Sequence, residues 1–127
     1  MNSIWRFVAV GIAGVGVGAT GLRIADAQVK PHAFLVAEIH VTDTAAYRPY
    51  VQRTGPIVTK YGGHYLVRGG KTESIEGATP AERIAIIEFP SLEAVDRFER
   101  SPEYRDVVTI RHKAATSRVF AIEGVSP

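Results

Sequence analysis

Between two glycine pairs, Gly62-Gly63 and Gly69-Gly70, runs the stretch His64-Tyr65-Leu66-Val67-Arg68, which puts an imidazole and a guanidinium in one short strand. Strict alternation places His64, Leu66 and Arg68 on one side of that strand and Tyr65 and Val67 on the other. An imidazole can move a proton near neutral pH, and a guanidinium can hold a carboxylate or an enolate. The same alternation groups Glu38 with His40, and Ile84 and Ile86 with Glu88. His64, Arg68, His40 and Glu38 are therefore the candidate catalytic residues, and Arg68, Tyr104, Arg111 and Glu88 the candidate ligand-binding residues. Tyr104 and Arg111 lie about two helical turns apart, so they share a face and can direct a phenol and a guanidinium into one pocket. The competing reading makes Tyr104 a core residue and Arg111 a stem laid over the apolar stripe or an ion-pair partner. By the same token Glu38, Arg68 and Glu88 can pair with one another or sit at strand ends in water.

Other chemistries find less support. The four histidines show no His-x-His or His-Glu-x-x-His spacing, and Glu38 with His40 supplies only two ligands from one strand face, so no metal site is expected. The chain has no Cys, and no Ser stands in a Gly-x-Ser-x-Gly turn, which leaves no nucleophile in a recognisable setting. A phosphate cradle needs glycine amides leading into a helix N-terminus, whereas Gly70 leads into a loop. The two Gly pairs are read as punctuation, and no cofactor is implied.

The elements that must position these residues are legible from periodicity. "AFLVAEIHV" (33–41) and "RIAIIEF" (83–89) are apolar on both faces and read as central strands, with "HYLVR" (64–68) and "RVFAIEG" (118–124) as two more. After Asp43 the period changes: Tyr47, Tyr50 or Val51, Thr54, Ile57 or Val58 and Tyr61 form a helical stripe, which Pro49 and Pro56 are expected to bend or split. Gly62 sits where a left-handed C-cap belongs. Residues 71–82 form a loop in which "TESIE" is able to extend the sheet. Ser91 caps a helix with Leu92, Val95 and Phe98 inward, and Ser101, Pro102 and Glu103 start a second helix that carries Tyr104 and Arg111.

Residues 1–27 have the grammar of an export signal: Arg6, an apolar stretch at 7–22, and small residues flanking a cut after Ala27. The alternative is an uncleaved membrane anchor, which the five glycines of that stretch weaken. Cleavage leaves a single domain, 28–127, with 13 basic and 12 acidic residues, bound for the periplasm or the exterior and without stable membrane insertion. Near-neutrality and the lack of a basic stripe argue against a nucleic-acid partner.

Strand, helix, strand, strand, helix pair, strand is the order of the α+β ferredoxin-like fold, βαββαβ, with a four-stranded antiparallel sheet and helices on one face. Because the central strands are apolar on both sides, the face without helices needs a cover, and a second copy related by a two-fold axis supplies one. The segments "YVQRTGPIVTKYGGHYLVRGGKTESIEG", "ERIAIIEFPSLEAVDRFERSPEYRDVVTIR" and "FAIEG" resemble the family called domain of unknown function 1330, within the dimeric α/β-barrel superfamily. The resemblance spans about 34–124 and implies the fold and a homodimer. It carries no activity, because related branches include cofactor-free monooxygenases, lactone isomerases and binding proteins. Two functions follow as expectations. One is an exported domain that binds a small organic ligand in a cleft, with cofactor-free acid/base activity from His64 or His40 and an anion held by Arg68 or Arg111. The other is a non-catalytic dimerisation or interaction domain.

Overall fold

The computed structural model describes residues 29–127; the export signal expected at 1–27 lies outside the described residues. Four strands, β1 (Ala33–Val41), β2 (His64–Arg68), β3 (Arg83–Phe89) and β4 (Ala115–Glu123), form one antiparallel sheet in the order β2-β3-β1-β4. Three helices, α1 (Thr44–Lys60), α2 (Leu92–Arg100) and α3 (Pro102–Ala114), complete the ferredoxin-like order. In β1 burial alternates: Ala33, Leu35, Ala37 and Ile39 are buried, and the residues between them are not. Period two therefore assigns the first set to the helices and leaves Phe34, Val36, Glu38 and His40 on the open face. The register carries this division across the sheet, adding Ala85 and Ile87 to the helix side and Ile84, Ile86, Glu88, Arg118, Phe120 and Ile122 to the open side.

Each helix starts where a side chain can replace a missing backbone acceptor. Asp43 accepts from the Ala46 amide at 3.0 Å, Ser91 from Ala94 at 3.2 Å and Ser101 from Tyr104 at 3.2 Å. Ser101 also donates to the Phe98 carbonyl at 2.7 Å, so one buried hydroxyl ends α2 and begins α3. That junction fixes where Tyr104 and, two turns on, Arg111 enter the core. Pro49 and Pro56 lie inside α1 without splitting it. Two further expectations are corrected. Leu92 is 37% exposed, leaving Ala94, Val95 and Phe98 as the inward residues of α2. Residues 72–76 extend no strand, since the chain between β2 and β3 pairs with nothing beyond the Gly69 amide bonded to the Ile84 carbonyl at 2.8 Å.

The core centres on Phe98, whose ring lies 5.3 Å from Phe89 and 4.2 Å from Tyr104. Burial of such side chains stabilises the fold by on the order of 1.5–3 kcal/mol each. Gly62 ends α1 at φ 84°, a conformation glycine adopts without a Cβ penalty. Its neighbour Gly63 is required for another reason: a Cβ there would lie 2.7 Å from the Phe89 ring and 2.9 Å from a Val58 methyl, both fully buried. Gly63→Ala should therefore cost about 1–3 kcal/mol through overpacking. Gly70→Ala, which meets nothing within 4 Å, should stay within about 0.5 kcal/mol of the parent. Urea denaturation of the two variants checks this, and equal midpoints would sink the packing argument.

Candidate active site

The helix side of the sheet holds a small cavity of about 30 Å³, lined by Leu35, Ala37, Ile39 and Ile87 below and by α1 and α3 above. Its polar content is concentrated. Tyr47, Tyr50, Tyr65 and Tyr104, four of the five tyrosines of the chain, line it with Thr54, Arg83 and Arg111. Tyr47, Tyr50 and Thr54 belong to the buried stripe of α1, Tyr65 rises from β2 and Arg83 from the start of β3.

Arg111 organises this group. Only 6% of it is exposed, and one terminal nitrogen donates to the Tyr104 hydroxyl at 2.7 Å and to the Tyr50 hydroxyl at 3.0 Å. The two hydroxyls are 3.3 Å apart, and the guanidinium carbon is 5.5 Å from the Tyr50 ring centroid. Among the described residues its buried Nε–H finds no acceptor, and none of them brings a carboxylate to the cavity lining. Burial pushes the Tyr65 phenol up to about 12 and raises Tyr47 and, more strongly, Tyr104. These hydroxyls therefore stay neutral at physiological pH and act as hydrogen-bond donors or acceptors, never as bases. A guanidinium with neutral donors around it, in a space with no competing carboxylate, is equipped to hold an anion.

Of the residues the sequence proposed, Tyr104 and Arg111 meet here. Arg68 lies on the same side, exposed, stacked 4.4 Å from the Tyr65 ring centroid and donating to the Val51 carbonyl at 2.7 Å, so it touches two residues of the cavity lining without lining the cavity itself. His64 does not join it. A bulge between Tyr65 and Val67 inserts Leu66, so His64 faces Glu88 on the open side while Arg68 faces Ala85 on the helix side. The alternation that placed His64 and Arg68 together is thereby corrected.

Glu38, His40 and Glu88 are on the open face as well, each paired. Glu38 bonds Arg118 directly across the β1–β4 ladder, and that bond holds its carboxyl below the ordinary value. His40 bonds Glu82 at 2.7 Å, and the same carboxylate accepts the Val41 amide. Glu88 bonds His32 through one oxygen and approaches His64 at 3.6 Å through the other. Because its two histidines sit on different oxygens, this trio does not converge on a point, and among the described residues no group of three or more His, Asp or Glu is placed to hold a metal. A larger hollow beside the chain ends, lined by Val29, His32, Phe34, Gly124, Val125 and Pro127, offers one titratable side chain and no comparable convergence.

Sequence reasoning took Tyr47, Tyr50 and Thr54 for plain core and passed over Tyr65 and Arg83. One signal was available: a helix stripe of three polar-tipped residues must satisfy those tips once buried. Thr54 does so by donating to the Tyr50 carbonyl at 2.6 Å.

Comparison with known proteins fits this architecture. A protein of unknown function from Rhodopseudomonas palustris superposes with TM-score 0.63 at 21% identity, over 83% of this chain and 91% of that one. SnoaB, a cofactor-independent oxygenase from Streptomyces nogalater, gives TM-score 0.56 at 15% identity, over 76% and 96%. A hypothetical protein from Arabidopsis thaliana gives 0.57 at 19%, over 79% and 94%. At these identities the likeness is one of fold. No curated protein matches the chain. Residues 32–125 match the family described as Domain of unknown function (DUF1330), and with that match covering most of its length the chain belongs to this family.

Proposed function

We propose that this protein is an exported, homodimeric binding domain that holds a small organic anion, a carboxylate or an enolate, in the cavity between its sheet and helices. The observation that carries the reading is Arg111: a guanidinium buried to 94%, hydrogen-bonded among the described residues only to tyrosine hydroxyls, in a cavity that these residues line with a second arginine and no carboxylate. Arg68, which touches the lining residues Tyr65 and Val51, likewise makes no ion pair among the described residues and adds positive charge beside the cavity. At about 30 Å³ the cavity takes roughly two waters, which suits the head group of such a ligand and not its whole body. With a ketone or enol acid bound, the same donors would stabilise an enolate oxygen, the condition for cofactor-free acid/base chemistry.

Dimerisation rests on the open face. Phe34, Val36, Ile84, Ile86, Phe120 and Ile122 give it an apolar centre, with Phe120 42% and Ile122 55% exposed in one copy. Flanking pairs Glu38–Arg118 and Glu88–His32 supply a polar rim of both signs, a pattern that a two-fold partner can match. The interaction-domain reading draws on this same face and needs no cavity ligand.

Three outcomes are expected. The full chain expressed in a bacterial host is recovered starting at Gln28, as intact mass will show; a product that still begins at Met1 would favour the anchor. Light scattering gives twice the chain mass, and Phe120→Glu, at a site exposed in one copy, shifts it to monomer; a parent that is already monomeric removes the dimer. Acetate titrated into the parent perturbs the side-chain N–H resonance of Arg111 by NMR. Arg111→Lys, which keeps a charge and loses the planar fork, should weaken acetate at least tenfold, about 1.4 kcal/mol, whereas Arg118→Ala on the open face leaves it unchanged. Equal affinity in the parent and Arg111→Lys, or no binding by the parent, overturns the anion site and leaves the interaction-domain reading.

A further inference from the structure

Two buried side-chain polar atoms have no hydrogen-bond partner in the described protein: Arg111 Nε and Glu99 Oε1. One is a donor and the other an acceptor, they sit on the neighbouring helices α3 and α2, and yet the two side chains form no ion pair within 4.0 Å. Glu99 was not a candidate in the sequence, where it follows Phe98 as one more charged residue of an amphipathic helix.

Glu99 is half-buried, and a carboxylate with one oxygen kept from water and denied a hydrogen bond is disfavoured as an anion unless a positive charge acts on it from nearby. The charges and titratable groups around Glu99 are few. From α3 come Arg111 and Tyr104; through hydrogen bonds to these, Tyr50 of α1 is linked to the same group. The helix-facing residues of β1 and β3 opposite α2, Leu35, Ile87 and Phe89 among them, are apolar. Glu123 of β4 lies against the first turn of α2, beside Lys30 and Glu93, at the other end of the helix from Glu99. Among the described residues, the cation acting on Glu99 is therefore the one that organises the cavity.

We propose that Glu99 is the proton-holding residue of the Arg111 anion site, taking up a proton when an anion binds and releasing it when the anion leaves. The inference rests on the reading of the cavity as an anion site. With the cavity empty, the charge of Arg111 helps to keep Glu99 ionised. An anion on Arg111 cancels that charge and adds its own, so the half-buried carboxyl is then cheaper as the neutral acid. Burial already raises the Glu99 carboxyl above its ordinary value, with Arg111 opposing the rise, which is the balance the coupling requires. The sign follows by linkage: because binding takes up a proton, affinity is highest at low pH and falls as pH rises from the Glu99 value in the free protein to its value in the complex. A ligand held this way arrives with the equivalent of its acid proton, and that proton is stored beside the donors that would hold an enolate.

Nitrate is the probe of choice, being planar, carboxylate-sized and ionised throughout, so that any pH dependence belongs to the protein. Nitrate affinity of the full chain is measured by titration calorimetry between pH 4 and pH 8, with Arg111 N–H shifts recorded alongside. In the parent, affinity should fall by up to tenfold per pH unit inside the window, and the Glu99 carboxyl carbon should titrate at higher pH with nitrate bound. Glu99→Gln, a neutral isostere of the protonated acid, should bind at least as tightly as the parent at its low-pH limit, with the slope abolished. A parent affinity that is flat with pH, or a slope that persists in Glu99→Gln and so belongs to the histidines, overturns the coupling while leaving the anion site standing. Absence of any nitrate effect on Arg111 in both proteins overturns the anion site, and the coupling with it.

Discussion

Much of this molecule is arranged around one buried positive charge. Taking a guanidinium out of water costs several kcal/mol, and the usual remedy is a carboxylate partner. Arg111 has instead two tyrosine hydroxyls on one nitrogen and the face of Tyr50 nearby. Each hydrogen bond involving a charged group is worth about 1.5–3 kcal/mol, and a desolvated cation–π contact about 2 kcal/mol. These terms can offset the cost, but they supply no counter-charge. The surrounding elements serve this arrangement: the Ser101 junction sets α3 at the angle that delivers Arg111, α1 delivers Tyr50, and Phe98 backs the Tyr104 ring. Removing any of them would leave the charge buried with fewer partners.

The second constraint is the sheet, which separates two sets of polar side chains that the sequence makes look like one. Every histidine of β1 and β2, together with Glu38 and Glu88, is on the open face, and Arg83, Arg111 and the four tyrosines of the cavity are under the helices. The bulge at Leu66 is the device that makes the division complete. Without it Arg68 would follow His64 to the open side and leave its contacts with Tyr65 and Val51 of the cavity lining. The bulge also leaves Leu66 51% exposed, adding to the apolar surface that a second copy would cover.

The limits of sequence reading have the same origin. The first three strands are bounded as periodicity expects, and Ser91, Ser101 and Gly62 cap as their types predict, because those features depend on residues close in sequence. Which face a charged residue occupies depends on register and on a one-residue insertion, and neither leaves a local mark in "HYLVR". The Tyr104–Arg111 pair was legible, since helical spacing alone brings the two together. Tyr50 was legible only as an inward residue; its partner lies far along the chain and is known only once α1 packs on α3. Glu99 was hidden for the opposite reason, an acidic residue on an amphipathic helix being the ordinary occupant of a solvated face.

A buried arginine that lacks a bonded counter-ion and, on the adjacent helix, a half-buried carboxyl that lacks a bonded cation pose a question of balance. If the pair existed only to stabilise the fold, the stronger arrangement would close the gap between them into a direct, doubly hydrogen-bonded ion pair. Such closure would neutralise the cavity and leave Arg111 nothing to offer a ligand. If Glu99 were absent, the uncompensated charge would burden the empty protein more heavily. Holding the carboxyl near enough to be felt and too far to bond keeps the empty protein tolerable and the guanidinium available. On the anion-site proposal, an incoming anion would compete with Glu99 for one charge, and the proton that settles the competition would stay at the site.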